Sequence, residues 1–168
     1  MSSTDGRKSE WEHQPCAYAA LGDRTRRAYR APHAFGQRPV SFTLPDHTTQ
    51  IQAGLYGSGQ RAVILAHGGR FDKNSWSKQA RTLANAGFMV LAIQYRGDSV
   101  FTDGTPNAAG SYEDNATDVL AAVAYCHRIG AKTVSAIGGS LGGNAVGDAD
   151  VRSKPGELDR IVILASTG

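Results

Sequence analysis

From Val40 onward the chain moves between two hydrophobic rhythms. "VSFTL" and "QIQAGLY" alternate apolar and polar residues on either side of "PDHTT", a run of turn formers, so this stretch predicts a β-hairpin. "RAVILA" is a continuous apolar run closed by Gly68 and Gly69, the pattern of a strand covered on both faces. "NSWSKQARTLANAG" predicts a helix capped at Asn74 or Ser75, with Trp76, Ala80 and Leu83 on one face and Gly87 as its stop. "FMVLAIQY" reads as a second buried strand, and "RGDSVFTDGTPNAAG" as a long loop rich in Gly, Asp and Pro. "SYEDNATDVLAAVAYCHRIG" then predicts a helix that opens on Ser111 and Asp114 at capping-box spacing. Ala116, Val119, Leu120 and Val123 face inward, and Gly130 ends it. "KTVSAIG" is a third buried strand, a short helix follows Ser140, and "RIVILAS" is a fourth strand.

Strand–helix alternation behind a leading hairpin predicts an α/β fold whose sheet is parallel wherever a helix crosses over. Such sheets bind ligands at the carboxyl ends of their strands. Both glycine clusters, after "ILA" and after "SAI", fall at such ends.

Composition narrows the class only a little. With 168 residues, 40% hydrophobic and 20% charged, the chain is expected to be one soluble domain. No apolar run approaches the roughly 18 residues of a membrane span, and the polar N-terminus lacks the apolar core of a secretory signal. Cys16 and Cys126 are isolated, without disulfide or metal spacing. A cytoplasmic protein with no membrane association, no metal and no cofactor is therefore expected. The net charge of +3 changes the picture once it is located. Residues 1–39 hold seven Lys/Arg against four Asp/Glu, whereas residues 40–168 hold eleven of each. The whole excess lies in a basic N-terminal segment, with four arginines in "RTRRAYR", which is expected to be a disordered extension (1–39) ahead of the domain (40–168). No aromatic residues are interleaved as base-stacking would require, so no specific nucleic-acid partner is expected. An arginine-arm RNA binder would need residues 1–39 alone to bind with salt-dependent affinity.

The chemistry concentrates in "GGSLG", which fits G-x-S-x-G at Gly138, Ser140 and Gly142. Alone the match is weak. Its place between a strand and a helix is what gives it weight, because a nucleophilic serine of this kind sits on a sharp, strained turn. A phosphate loop is the competing reading, but that needs Gly-Lys-Ser/Thr, and no lysine lies between Lys132 and Lys154. The second cluster is "HGGRF", His67–Phe71. Acyl transfer at a serine needs N–H donors aimed where the carbonyl oxygen becomes negative. One is the amide after the nucleophile, Leu141; the other comes from the loop after an earlier strand, with Gly69 the best candidate and Arg70 next. His67 stands at the strand end before the glycines and is expected to hold the loop's backbone by hydrogen bonds rather than to act in catalysis.

With the hairpin, "HGG", "QYRG" and "GGSLGG" in that order, the chain from about Val40 onward resembles the α/β-hydrolase superfamily, nearest to small bacterial esterases and dienelactone-hydrolase-like enzymes. The resemblance implies a Ser140 nucleophile, Gly69 and Leu141 as oxyanion-hole amides, and ester, thioester or related acyl substrates. A serine at the elbow disfavours relatives that use an aspartate there, such as epoxide hydrolases.

One departure stands out. The family orders its triad Ser, Asp or Glu, then His. After Ser140 come Asp148, Asp150, Glu157 and Asp159, but no histidine. His13, His33, His47, His67 and His127 all precede it, and His127 reads as a packing or surface residue near a helix end. The four carboxylates are expected to be solvated rather than catalytic. Arg96, Asp98 and the loop to Gly110 are expected to border the site, without an assignable role. The sequence thus predicts an α/β-hydrolase domain incomplete at its C-terminus, with nucleophile and oxyanion hole but without acid or base, and nearly inactive alone. The alternative is a non-catalytic relative that binds a small ligand or a protein. "RIVILAS", with no strand after it, is expected to leave an open edge and favour self-association.

Overall fold

A computed structural model describes residues 36–96 and 112–165. Two strands, β1 (Arg38–Thr43) and β2 (Gln50–Tyr56), pair antiparallel with Phe42 opposite Ile51, as the alternating pattern predicts. The turn between them is held by one side chain. Asp46 accepts hydrogen bonds from the Thr48 and Thr49 amides, 2.9 Å each, and from Thr49 Oγ1 at 2.6 Å. Those bonds, led by the Thr49 hydroxyl, bring the Asp46 pKa down to about 2.

The remaining strands are β3 (Arg61–Ala66), β4 (Met89–Ile93), β5 (Thr133–Gly139) and β6 (Arg160–Leu164), in a sheet of order β1-β2-β4-β3-β5-β6. β4, β3, β5 and β6 run parallel, and β2 joins β4 antiparallel. The crossing elements are a 3₁₀ turn (Lys73–Trp76) leading into α1 (Ser77–Asn85), then α2 (Tyr112–Arg128) and α3 (Leu141–Arg152). Each central strand splits its side chains between two cores. Ile64, Leu91, Ile93 and Val134 meet Val119, Val123 and Val146 of α2 and α3 on one face. Val63, Leu65, Val90 and Ala92 meet Ala80 and Ala84 of α1 on the other. Continuous apolar runs in β3 and β4 follow from cover on both sides.

Two sequence expectations need correction. The helix expected to begin at Asn74 or Ser75 is capped by Asp72 instead, whose carboxylate accepts from the Asn74 and Ser75 amides at 2.9 and 3.2 Å. Asp72 is extended and stands just ahead of those free N–H groups, so its carboxylate caps the 3₁₀ turn that precedes α1. The helix after Ser140 is not short; it runs twelve residues. Among the described residues β6 pairs only with β5, and Val162, Ile163 and Leu164 are exposed. The stops fall as expected: Gly87 and Gly130 have φ of 87° and 106°, and Phe88 and Ala131 close Schellman-type bonds onto Leu83 and Cys126. Ser111 and most of the long loop lie outside the described residues.

The strand order places the functional end. From β3 the chain steps to β4 on one side, then crosses back to β5 on the other. The carboxyl ends of β3 and β5 therefore flank the point where the direction of winding reverses, which opens a crevice in such sheets. Gly68 and Ser140 are the residues that follow.

Candidate active site

Ser140 joins β5 to α3 with φ 53° and ψ −120°. That conformation suits glycine and costs a residue with a Cβ about 1–3 kcal/mol, so neighbouring structure must impose it. The flanking glycines show how. A Cβ on Gly138 would collide with the Gly142 carbonyl, and one on Gly142 would collide with the Ala66 carbonyl and lie 2.7 Å from His67 O. Three backbones, the ends of β3 and β5 and the start of α3, thus touch directly. The G-x-S-x-G spacing is a requirement for close approach at both glycines, while the positive φ belongs to the serine itself. Ser140 N–H donates to Leu164 O at 2.8 Å, which ties the turn to the end of β6.

The result is an exposed serine at the head of a helix. Leu141 opens α3, so its N–H is among those a helix leaves without an intrahelical acceptor. The loop after β3 lies against the serine from the other side. A Cβ on Gly68 would be 3.6 Å from Ser140 Cβ and 3.3 Å from Gly139 O. Gly69 and Arg70 follow in that loop, Gly69 half-buried and Arg70 exposed. A cavity of ≈ 360 Å³ opens beside Ser140, walled by Phe71, Trp76 and Leu164, with Gln79 as a polar group. Among the described residues its lining carries no ionised side chain, which suits an uncharged, largely apolar group.

Among the described residues no histidine is bonded to this serine. His67 is fully buried; its Nδ1 lies 2.9 Å from Gly68 O, and its Nε2 lies 3.3 Å from Gln94 Nε2. The ring does bond the loop's backbone. Burial pushes its pKa down, against the opposing pull of the Gly68 carbonyl and Asp72, so the ring is neutral. His127 bonds Ala131 O and Glu157 O at the opposite end of β5, a strand length of about 23 Å from Ser140. His47 is exposed in the β1–β2 turn, and His13 and His33 lie outside the described residues. The downstream carboxylates are also engaged elsewhere or exposed. Asp159 accepts from Val134 N–H at 2.7 Å and Glu157 from Lys154 N–H at 2.9 Å, while Asp148 and Asp150 are exposed on α3.

Two interactions just after β4 were not legible in the sequence. Arg96, expected to border the site without an assignable role, is pinned to α2: its amide and Nε donate to Asp118 at 2.8 and 2.7 Å, and Nη1 lies 3.2 Å from Asp114. Asp118 is fully buried and reads in sequence as one more polar position of a helix. Gln94, in "QYRG", joins the site's loop to the 3₁₀ turn, accepting from Lys73 N–H at 3.2 Å. Asp98 lies outside the described residues.

No protein-family model and no curated protein matches the chain. Solved structures do. The α/β hydrolase GrgF from Penicillium sp. sh18 superposes with TM-score 0.66 at 22% identity over 78% of this chain and 46% of its own. A dienelactone hydrolase from Anabaena variabilis ATCC 29413 gives 0.65 at 20% over 78% and 63%. Epoxide hydrolase A from Mycobacterium thermoresistibile gives 0.59 at 23% over 76% and 39%. The chain spans about half the length of these structures. At such identities the likeness establishes a shared fold. No helix of the described residues is long and apolar enough to cross a membrane.

Proposed function

We infer, for a chain that carries the α/β-hydrolase fold over about half the length of the hydrolases it resembles, that it supplies the nucleophile part of a serine hydrolase acting on esters or related acyl compounds. The observation that carries this reading is the backbone of Ser140, held at φ 53° on a strand-to-helix turn by glycine contacts on both sides. In the proposed reaction Ser140 Oγ attacks an acyl carbonyl carbon while the Leu141 and Gly69 amides receive the oxygen as it becomes negative. The proton leaving Oγ needs a base, which the proposal assigns to a histidine supplied by another polypeptide segment, since no histidine follows Ser140 in this sequence. A serine at this position sets the proposal apart from the aspartate chemistry of epoxide hydrolases. Cys126 is buried and free, in keeping with a reducing compartment, so we place the reaction in the cytoplasm. The open edge of β6 is proposed as a self-association surface.

A second reading, a non-catalytic module that binds a small ligand, is favoured by a different observation: both ring nitrogens of His67 and of His127 are committed to other groups. A fluorophosphonate probe separates the two. The catalytic reading expects slow labelling of the chain alone at Ser140. Labelling should rise about 10²–10⁴-fold when a polypeptide supplying an acid and a histidine is added, the usual contribution of a general base. Ser140→Ala should abolish it. No gain on complementation favours the binding module. Rapid, Ser140-dependent labelling by the chain alone would instead make an upstream histidine the base.

A further inference from the structure

We propose that Gln94 is a positioning residue for the peptide that faces Ser140: it holds His67 in the Nδ1–H tautomer, and that proton sets the orientation of the Gly68–Gly69 peptide.

The assignment follows from what each group is able to do. Lys73 N–H, 3.2 Å from Gln94 Oε1, can only donate, so the Gln94 oxygen faces it. The Gln94 amide nitrogen is then left facing His67 Nε2 at 3.3 Å, and it too can only donate. Nε2 must therefore be the acceptor, which leaves the ring proton on Nδ1. Nδ1–H points at Gly68 O, 2.9 Å away. The same carbonyl accepts Phe71 N–H at 3.0 Å. With two donors on one side of that oxygen, the peptide plane is fixed, and trans geometry sends the Gly69 N–H the opposite way. Gly68 lies directly against Ser140. The orientation of this one peptide decides whether the serine's neighbourhood offers an N–H donor or a carbonyl oxygen, and only the donor can receive a developing oxyanion. In the other tautomer two N–H groups would confront each other at Nε2 and two lone pairs at Gly68 O. The geometry also requires an unprotonated ring, in keeping with a fully buried His67 whose pKa burial lowers.

The consequence for Ser140 rests on its reading as a nucleophile; the tautomer does not. Long-range ¹H–¹⁵N spectra of the whole chain read the tautomer directly. At pH 7 His67 should be neutral and protonated at Nδ1. Gln94→Leu, which removes the donor to Nε2, should mix the tautomers. Gln94→Glu keeps an oxygen for Lys73 N–H but replaces the donor with an acceptor, and should put a proton on Nε2. Phenylboronic acid provides the second readout. Its boron takes up the serine oxygen to form a tetrahedral anion, with the hydroxyl proton released to solvent. Gln94→Leu should weaken this adduct about tenfold, less than the roughly 10²–10³ lost with an oxyanion donor itself. An Nε2–H ring in the wild-type chain overturns the proposal without any variant, and so does a Gln94→Leu protein with unchanged tautomer and affinity. A wild-type chain that binds phenylboronic acid no better than Ser140→Ala would sink the nucleophile reading and leave the tautomer result standing. If Gln94→Leu does not fold, the wild-type spectrum and Gln94→Glu decide.

Discussion

Met89–Ile93 and Arg160–Leu164 are both five-residue strands, "MVLAI" and "RIVIL", and on hydrophobicity there is little to choose between them. Their fates are opposite. Every residue of β4 is buried, whereas all of β6 but Ile161 is exposed. β4 lies between β2 and β3 with cover on both faces; β6 has a single partner, β5, among the described residues. The difference teaches that an apolar run specifies a strand, while the number of its neighbours specifies what that strand is worth in stability.

The largest expected effect tests this contrast. Leu91→Ala should lower stability by about 3 kcal/mol, since a buried leucine loses both its transfer energy and the cavity it leaves. Val162→Ala should stay within about 0.5 kcal/mol, as exposed positions do. Urea midpoints that move equally for the two would break the comparison. Next comes the open edge. Val162→Lys, a charge on a strand with a single partner among the described residues, should weaken self-association about tenfold, equivalent to roughly 1.4 kcal/mol. Light scattering across a concentration series reads this out, and a wild-type protein already monomeric at all concentrations would contradict it.

A smaller effect concerns how the strands end. β4 runs out through ordinary backbone, but β5 ends on Ser140 with φ 53°. Ser140→Gly should raise stability by about 1 kcal/mol by relieving that strain, whereas Ser140→Ala, which keeps the Cβ, should not. Equal melting temperatures for the two variants would show that the turn is unstrained. The smallest effect lies at the hairpin beside β4. Asp46 has a pKa near 2 in the fold against 3.8 for the free group, so the unfolded chain takes up its proton first as pH falls. Its contribution is complete above about pH 4 and disappears as pH drops from 3.8 through 2. Because the group is solvent-exposed the effect should be small, and Asp46→Asn should flatten the difference in acid melting curves over that window.

Much of this molecule is legible from local rules. Alternation in "VSFTL" and "QIQAGLY" produced the hairpin, continuous runs produced β3 to β5, and Gly87 and Gly130 stopped their helices because only a residue without a Cβ enters that conformation easily. The serine's place between strand and helix was visible for the same reason. The cap at Asp72 was misplaced by two or three residues, since Asn74 and Ser75 are also good cap residues and only the coordinates show which oxygen meets the free amides.

What the sequence by itself determined is therefore the set of elements, their order, and the glycines that a serine turn needs. Each depends on side chains close together along the chain, within one helical turn or one strand period. Only the tertiary structure decided that Gly138 and Gly142 are small because the ends of β3, β5 and α3 touch backbone to backbone. Likewise it decided that Gln94 and His67, 27 residues apart, share a hydrogen bond, and that Asp118 on α2 holds Arg96, just after β4. Burial and hydrogen-bond partnership depend on which elements become neighbours, and that is set by the packing of the whole sheet, which no local period encodes.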